Sequence, residues 1–260
     1  MDGIAFTVED GIGRITLDRP AAGNAIDLPL ARALLAAAIR CQTDDMIRCI
    51  VLTGNGRLFC AGGDVQLLAG AGDRRSDVLS ELIATFHAAV ARLARAPKPL
   101  VTLVNGPAAG AGFSLAMLGD VVIGARSAHF TAAYGAIGLT PDGGLSWLLP
   151  RLVGLRKAQD IILTNRRIKA DEAEAIGLVT RIVDDEALAD EGLKAAAALA
   201  DAPMAALAAS RALLADSFET GLETQLDREL RSMARAGAGP ESEEGLSALL
   251  AKRTANFRGV

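Results

Sequence analysis

Aromatic residues are scarce in this chain: one tryptophan, one tyrosine and seven phenylalanines stand among 260 residues. With alanine abundant in their place, the composition suits closely packed helices and strands and argues against a disordered chain. The three cysteines, Cys41, Cys49 and Cys60, are odd in number and widely spaced, and only two histidines accompany them. That pattern argues against a disulfide framework and against a structural metal site, so no metal is expected. No run of about 18 uncharged apolar residues occurs, which argues against a membrane span. The opening Met1-Asp2-Gly3-Ile4-Ala5-Phe6 lacks the basic segment and apolar block of a secretory signal, so the expected location is cytoplasmic. A formal net charge of −4 gives no electrostatic reason to expect nucleic acid. Isolated arginines and lysines remain available for a phosphorylated small molecule.

What is present is a length sufficient for a large core and two glycine-rich turns, each preceded by a buried, strand-like run. Cys49-Ile50-Val51-Leu52-Thr53-Gly54 leads to Phe59-Cys60-Ala61-Gly62-Gly63-Asp64, and Pro99-Leu100-Val101-Thr102-Leu103-Val104 leads to Asn105-Gly106-Pro107-Ala108-Ala109-Gly110-Ala111-Gly112. Small residues in both turns let bare backbone N–H groups face a ligand. Two such donors aimed at one carbonyl oxygen form an oxyanion hole, which stabilises the charge that develops when a thioester becomes an enolate.

Around these turns the pattern predicts a strand over 12–17 after the Glu9-Asp10-Gly11 turn and a helix from about Asp27 with Leu28, Leu30, Leu34, Leu35 and Ile39 on one side. A short helix starts near Val65, 69–75 reads as a mobile loop, and helix returns over 78–95. Then come a strand over 99–104, a helix over 112–118, a strand over 120–124 and a short strand over 129–131. From 183 onward the sequence is almost wholly helical, broken at Ala202-Pro203 and again at Gly237-Ala238-Gly239-Pro240 before a last helix over 241–253. The apolar stripes of these last helices are too broad for a free tail, so they must pack on the core or on another subunit. The chain therefore divides into an α/β core over 1–195 and a helical C-terminal region over 196–260.

The two turns, together with Arg19-Pro20 followed by Asn24-Ala25, Gly138-Leu139-Thr140-Pro141-Asp142-Gly143-Gly144, Leu149-Pro150-Arg151-Leu152-Val153-Gly154 and the ending Leu250-Ala251-Lys252-Arg253 to Phe257, resemble the crotonase superfamily of enoyl-CoA hydratases and isomerases. The resemblance covers nearly the whole chain. It implies a crotonase-like ββα spiral core, a helical C-terminal trimerisation region forming a homotrimer or a hexamer of two trimers, and an acyl-CoA thioester as ligand. Coenzyme A then enters as part of the substrate and no separate cofactor is needed. The resemblance also implies that Ala61 and Ala111 donate the oxyanion-hole N–H groups.

Hydratases of the superfamily use two glutamates, and the matching positions here hold Ser114 and Tyr134. Neither replaces a carboxylate as a base at neutral pH, because a serine needs its own activator and a phenol stays protonated below about pH 10. Asp142, just before an apolar helix, looks like the aspartate of the superfamily's isomerases, including those acting on phenylacetyl-CoA ring derivatives. One carboxylate can take a proton from one carbon and return it two carbons away. An aspartate between Pro and Gly is also an ordinary turn former and helix cap. His87 falls where 4-chlorobenzoyl-CoA dehalogenases carry a catalytic histidine, with Phe86 and Tyr134 at their pocket tryptophans. Ala22, Ala61, Gly62 and Asp64 look like the coenzyme A contact region, and Gly110 borders the acyl thioester. Lys252 and Phe257 read either as reaching a neighbour's ligand, Lys252 at its phosphates, or as solvated surface. Leu145 stands where relatives have a smaller residue and is expected to narrow the acyl tunnel. The leading expectation is an enoyl-CoA isomerase. Hydration, dehalogenase-like hydrolysis through Asp142 and His87, and noncatalytic acyl-CoA binding remain as alternatives.

Overall fold

The computed structural model describes residues 2–260, and Met1 of the expected leaderless start lies outside them. Strand β1 (Ile4–Glu9) and strand β2 (Ile12–Leu17) form an antiparallel hairpin. Its two-residue turn is Asp10-Gly11, both at positive φ, the geometry that matches strand twist. β1 is an edge strand, alternately buried and exposed, and was not foreseen from the sequence; the run Ile4-Ala5-Phe6-Thr7 is short and only mildly apolar. Helix α1 (Leu28–Thr43) follows, capped by the Asp27 carboxylate, which accepts from Leu30 N. Next come β3 (Cys49–Gly54), α2 (Val65–Gly70), α3 (Arg75–Ala94), β4 (Leu100–Val104), β5 (Ala108–Ala109), α4 (Ala111–Ala116), β6 (Val121–Ala125) and β7 (His129–Thr131). The chain continues through α5 (Leu145–Val153), α6 (Leu155–Thr164), β8 (Arg167–Lys169), α7 (Ala170–Ala175) and β9 (Arg181–Val183). It closes with α8 (Leu188–Ala200), α9 (Met204–Asp216), α10 (Leu222–Gly237) and α11 (Pro240–Leu250).

The main sheet has the order β1-β2-β3-β4-β6-β9, parallel from β2 onward, and a second sheet has the order β5-β7-β8. β3 and β4 are buried almost throughout because both faces of the sheet are covered. Ile50, Leu52, Leu100 and Val104 point into the main core beneath α1 and α3, whereas Cys49, Val51, Val101 and Leu103 meet α8 on the other face. Gly192 lets α8 lie directly on Leu103, which a Cβ would strike.

Two expectations are corrected. The stretch 69–75 is not an open loop: a 3-10 turn over Gly72–Arg74 joins α2 to α3, and Arg75 Nε donates to Leu68 O at 3.1 Å. Arg74 N donates to Ala71 O and the Arg75 guanidinium to Leu68 O, and these local bonds close the turn even though Gly72 sits at positive φ. The division after residue 195 falls inside α8, whose Leu188, Ala196 and Ala200 are buried against the sheet. The core therefore runs to the break at 201–203, and the separate helical region begins with α9. Among the described residues no single helix is long and apolar enough to cross a membrane.

Candidate active site

Asn24 builds the first turn. Its backbone sits at φ +56°, its Oδ1 accepts from Arg19 N, and its Nδ2 donates to the carbonyls of Asn55, Leu58 and Phe59 at 2.9–3.1 Å. A fully buried amide thus holds three otherwise orphaned carbonyls, which is why the loop after β3 takes one shape. The second turn is zipped to the first: Phe59 N and Cys60 N donate to Pro107 O, and Ala109 N donates to Cys60 O. Gly112 packs flush on Cys60, and Gly62 at φ +102° leaves only 2.9 Å between an imagined Cβ and Ala109 O. Glycine at these points lets the two backbones touch.

Ala111 opens α4, with its N–H unpaired among the described residues. The expected donor on the first turn is corrected. Ala61 N donates to Gly23 O at 2.9 Å and is spent. Asp64 N is likewise spent on Ile26 O, and Gly62 N faces Cys60 Sγ. Gly63 lies between them, its N–H without a partner among the described residues and open space at its Cα. The bare donors are therefore Gly63 and Ala111. The sequence signal for this was the position of Gly63 immediately before Asp64, the residue that caps α2.

Gly110, at φ +52°, lies where a Cβ would stand 3.9 Å from the Tyr134 ring and 3.7 Å from Gly62 Cα. Tyr134 is buried and its hydroxyl donates to Asp142 Oδ1 at 2.6 Å. Ser114, fully buried on α4, donates to Asp142 O at 2.9 Å. The two positions that could have held glutamates instead hold groups that anchor Asp142, Tyr134 at its carboxylate and Ser114 at its backbone carbonyl. Burial pushes the Asp142 pKa above the ordinary carboxylate range, while the Tyr134 hydrogen bond pulls it back. Burial and the adjacent carboxylate push the Tyr134 phenol well up, so it stays a proton donor in its hydrogen bond. The thiol of Cys60 is likewise pushed up to about 12 by burial and is inert.

Asp142 begins a turn in which Leu145 N donates to Asp142 O and both Gly143 and Gly144 have positive φ. His87 on α3 accepts the Gly143 N–H at Nε2, 2.9 Å away. Phe86 is buried beneath the turn, against Gly143, as part of the core floor and not as an exposed pocket wall. Leu145 also faces inward, fully buried in the main core, so it does not narrow a tunnel. Ala22 and Ala61 are both exposed, and Gly23, the residue after Ala22, lies against Ala61. Asp64 is occupied: its carboxylate caps α2 through Gln66 N and Leu67 N and lies 3.6 Å from Arg19. Lys252 is exposed, and Phe257 packs near Gly245, lining a cavity of about 910 Å³ among α9, α10 and α11. Within one chain these two residues do not join the Asp142 cluster.

The layered α/β fold thus carries two bare backbone donors and one half-buried, hydrogen-bonded carboxylate, groups able to take up charge on a carbonyl oxygen and to move a proton. The Enoyl-CoA hydratase/isomerase family model matches residues 7–260, and the chain belongs to that family, with the crotonase-like fold. It is 39% identical over 266 residues to a 1,2-epoxyphenylacetyl-CoA isomerase of Escherichia coli, covering 100% of this chain and 99% of the relative. A probable enoyl-CoA hydratase of Rhodobacter capsulatus is 38% identical over 98% of each chain. The crystal structure of an enoyl-CoA hydratase from Polaromonas superposes with a TM-score of 0.93 at 33% identity, covering 97% of this chain and 98% of that one.

Proposed function

We propose that this member of the family is an isomerase of acyl-CoA thioesters that shifts a double bond through Asp142. The observation that carries the reading is the Asp142 carboxylate itself. One oxygen is tied to Tyr134, the other is free among the described residues, and no second carboxylate stands beside it to activate water. Asp142 takes the proton from the carbon next to the thioester carbonyl, and the electron pair moves into the carbonyl and the adjacent double bond as a dienolate. Gly63 N–H and Ala111 N–H hold the oxygen that becomes negative. Asp142 then returns the proton two carbons further along, and no water is added or lost. Partial desolvation keeps its basicity nearer neutral pH than an exposed aspartate's, as a proton shuttle needs.

The identity to a 1,2-epoxyphenylacetyl-CoA isomerase over the whole chain favours a ring-bearing acyl group as substrate. In this reading coenzyme A lies over the exposed Ala22 and Ala61, with the buried Gly62 next to Ala61. In a homotrimer, or a hexamer of two trimers, Lys252 and Phe257 of a neighbour reach it.

The test is to follow conjugated-thioester absorbance with a 3-enoyl-CoA, a 2-enoyl-CoA and 1,2-epoxyphenylacetyl-CoA. Isomerisation is expected, and Asp142→Asn should lower kcat by roughly 10²- to 10⁴-fold. Hydration of the 2-enoyl thioester with no isomerisation, or isomerisation indifferent to Asp142→Asn, overturns the reading.

A further inference from the structure

The turn that carries Asp142 is intrinsically loose. Gly143 and Gly144, both at positive φ, make a backbone that many conformations would satisfy. It is nevertheless gripped from several directions. Ser114 holds the Asp142 carbonyl, Tyr134 holds its carboxylate, and an imagined Cβ on Gly143 would lie 2.7 Å from Phe86 and 2.8 Å from Ser114. The remaining polar group of the peptide that joins the two residues is the Gly143 N–H, and its partner is His87 Nε2 at 2.9 Å.

A backbone N–H is a permanent donor, so the ring nitrogen facing it must be the unprotonated one, with the imidazole proton on Nδ1. The Nε2 lone pair is thereby engaged by the backbone. A base that takes a proton from water, as dehalogenase-like hydrolysis would require, needs that lone pair free. Phe86, the preceding residue on α3, is anchored in the core under Gly143, so the helix presents His87 to the turn at a fixed height.

We infer that His87 is a positioning residue for the isomerisation: a neutral hydrogen-bond acceptor that fixes the Asp142–Gly143 peptide and so aims the Asp142 carboxylate. This rests on Asp142 being the proton carrier. Misplacing a catalytic group by about 1 Å costs up to roughly 10²-fold in rate.

The experiment compares His87→Ala, His87→Gln and His87→Asn. The glutamine amide oxygen can stand where Nε2 stands but is not basic, and asparagine reaches only as far as Nδ1. His87→Ala and His87→Asn are expected to lower kcat by about 10- to 100-fold with little change in KM, and His87→Gln to restore most of it. Glutamine as inactive as alanine would identify a base and overturn the inference, and so would alanine as active as the wild type. A second readout needs no substrate. The Gly143 amide should be protected from hydrogen exchange in the wild type and in His87→Gln and exposed in His87→Ala. With only two histidines in the chain, the ¹⁵N signals of His87 should report the Nδ1–H tautomer. An inactive wild type with Gly143 protected through His87 would overturn the isomerase reading and leave the clamp standing. An active enzyme whose Gly143 exchange ignores His87→Ala would overturn the clamp.

Discussion

At Asp142 two opposing effects set the basicity of one carboxylate. Burial disfavours its charge and raises its pKa, and the Tyr134 hydroxyl at 2.6 Å favours the charge and lowers it. Tyr134→Phe removes only the second effect. The Asp142 pKa should then rise further, so that the carboxylate is protonated at a higher pH and the acid limb of the kcat/KM profile moves up. A profile that stays put or moves down would show that the hydroxyl does not bear on the working base. The lone carboxylate was visible in the sequence, because the resemblance sets Ser114 and Tyr134 at the two positions of the hydratases' glutamates and leaves Asp142 near the turn. What could not be seen was that both contact Asp142, since that depends on how α4 and the segment after β7 converge. The choice of donor on the first turn was misplaced for a similar reason: whether Ala61 or Gly63 has a free N–H depends on Gly23 and Ile26, more than 30 residues earlier.

Among the elements, the glycine turn between β7 and α5 bears most directly on the chemistry. Gly143 combines φ +59° with a Cβ position already filled by Phe86 and Ser114. Alanine there meets both a left-handed backbone and a steric block. Gly143→Ala should destabilise the fold by about 1–3 kcal/mol and lower kcat by about 10²-fold through displacement of Asp142. Thermal unfolding and steady-state kinetics on the same preparation check both, and a variant with wild-type kcat would refute the link between the turn's shape and the carboxylate's aim. Strongly apolar elements such as β3, β4 and α1 were legible from periodicity. The weak ones were not: β8 and β9 are three residues each and are defined by their pairing with β7 and β6, which only the fold brings beside them. The loop after β3 was legible as a glycine turn, but its shape comes from Asn24, a side chain whose three acceptors only the fold assembles.

In the whole molecule, α9 to α11 lie beyond the helices that cover the sheet, and many of their large apolar residues are exposed. Leu222, Leu226, Leu230 and Met233 recur along one stripe of α10, and Leu226, the least exposed of the four, still shows 53% of its surface. Phe218, Leu246, Leu249 and Leu250 extend this apolar exposure. The opposite character appears elsewhere on α10, where Arg228 pairs with Asp216 and Arg231 with Asp227. A helix so divided needs a cover, because burying one leucine is worth about 1.5–3 kcal/mol and soluble monomers rarely leave a contiguous patch of this kind open. The occupant proposed here is a second copy of the chain in a homotrimer, alone or paired into a hexamer. Leu226→Asp combined with Leu230→Asp places two charges on the stripe while leaving the α/β core untouched. Sedimentation should show trimers or hexamers for the wild type and monomers for the double variant. Far-ultraviolet circular dichroism should be retained in both. Loss of coenzyme A affinity in the monomer would add that Lys252 or Phe257 reaches a neighbour's site. A wild type that sediments as a monomer would instead leave the apolar stripe to a different partner and separate the site's chemistry from any assembly of this chain.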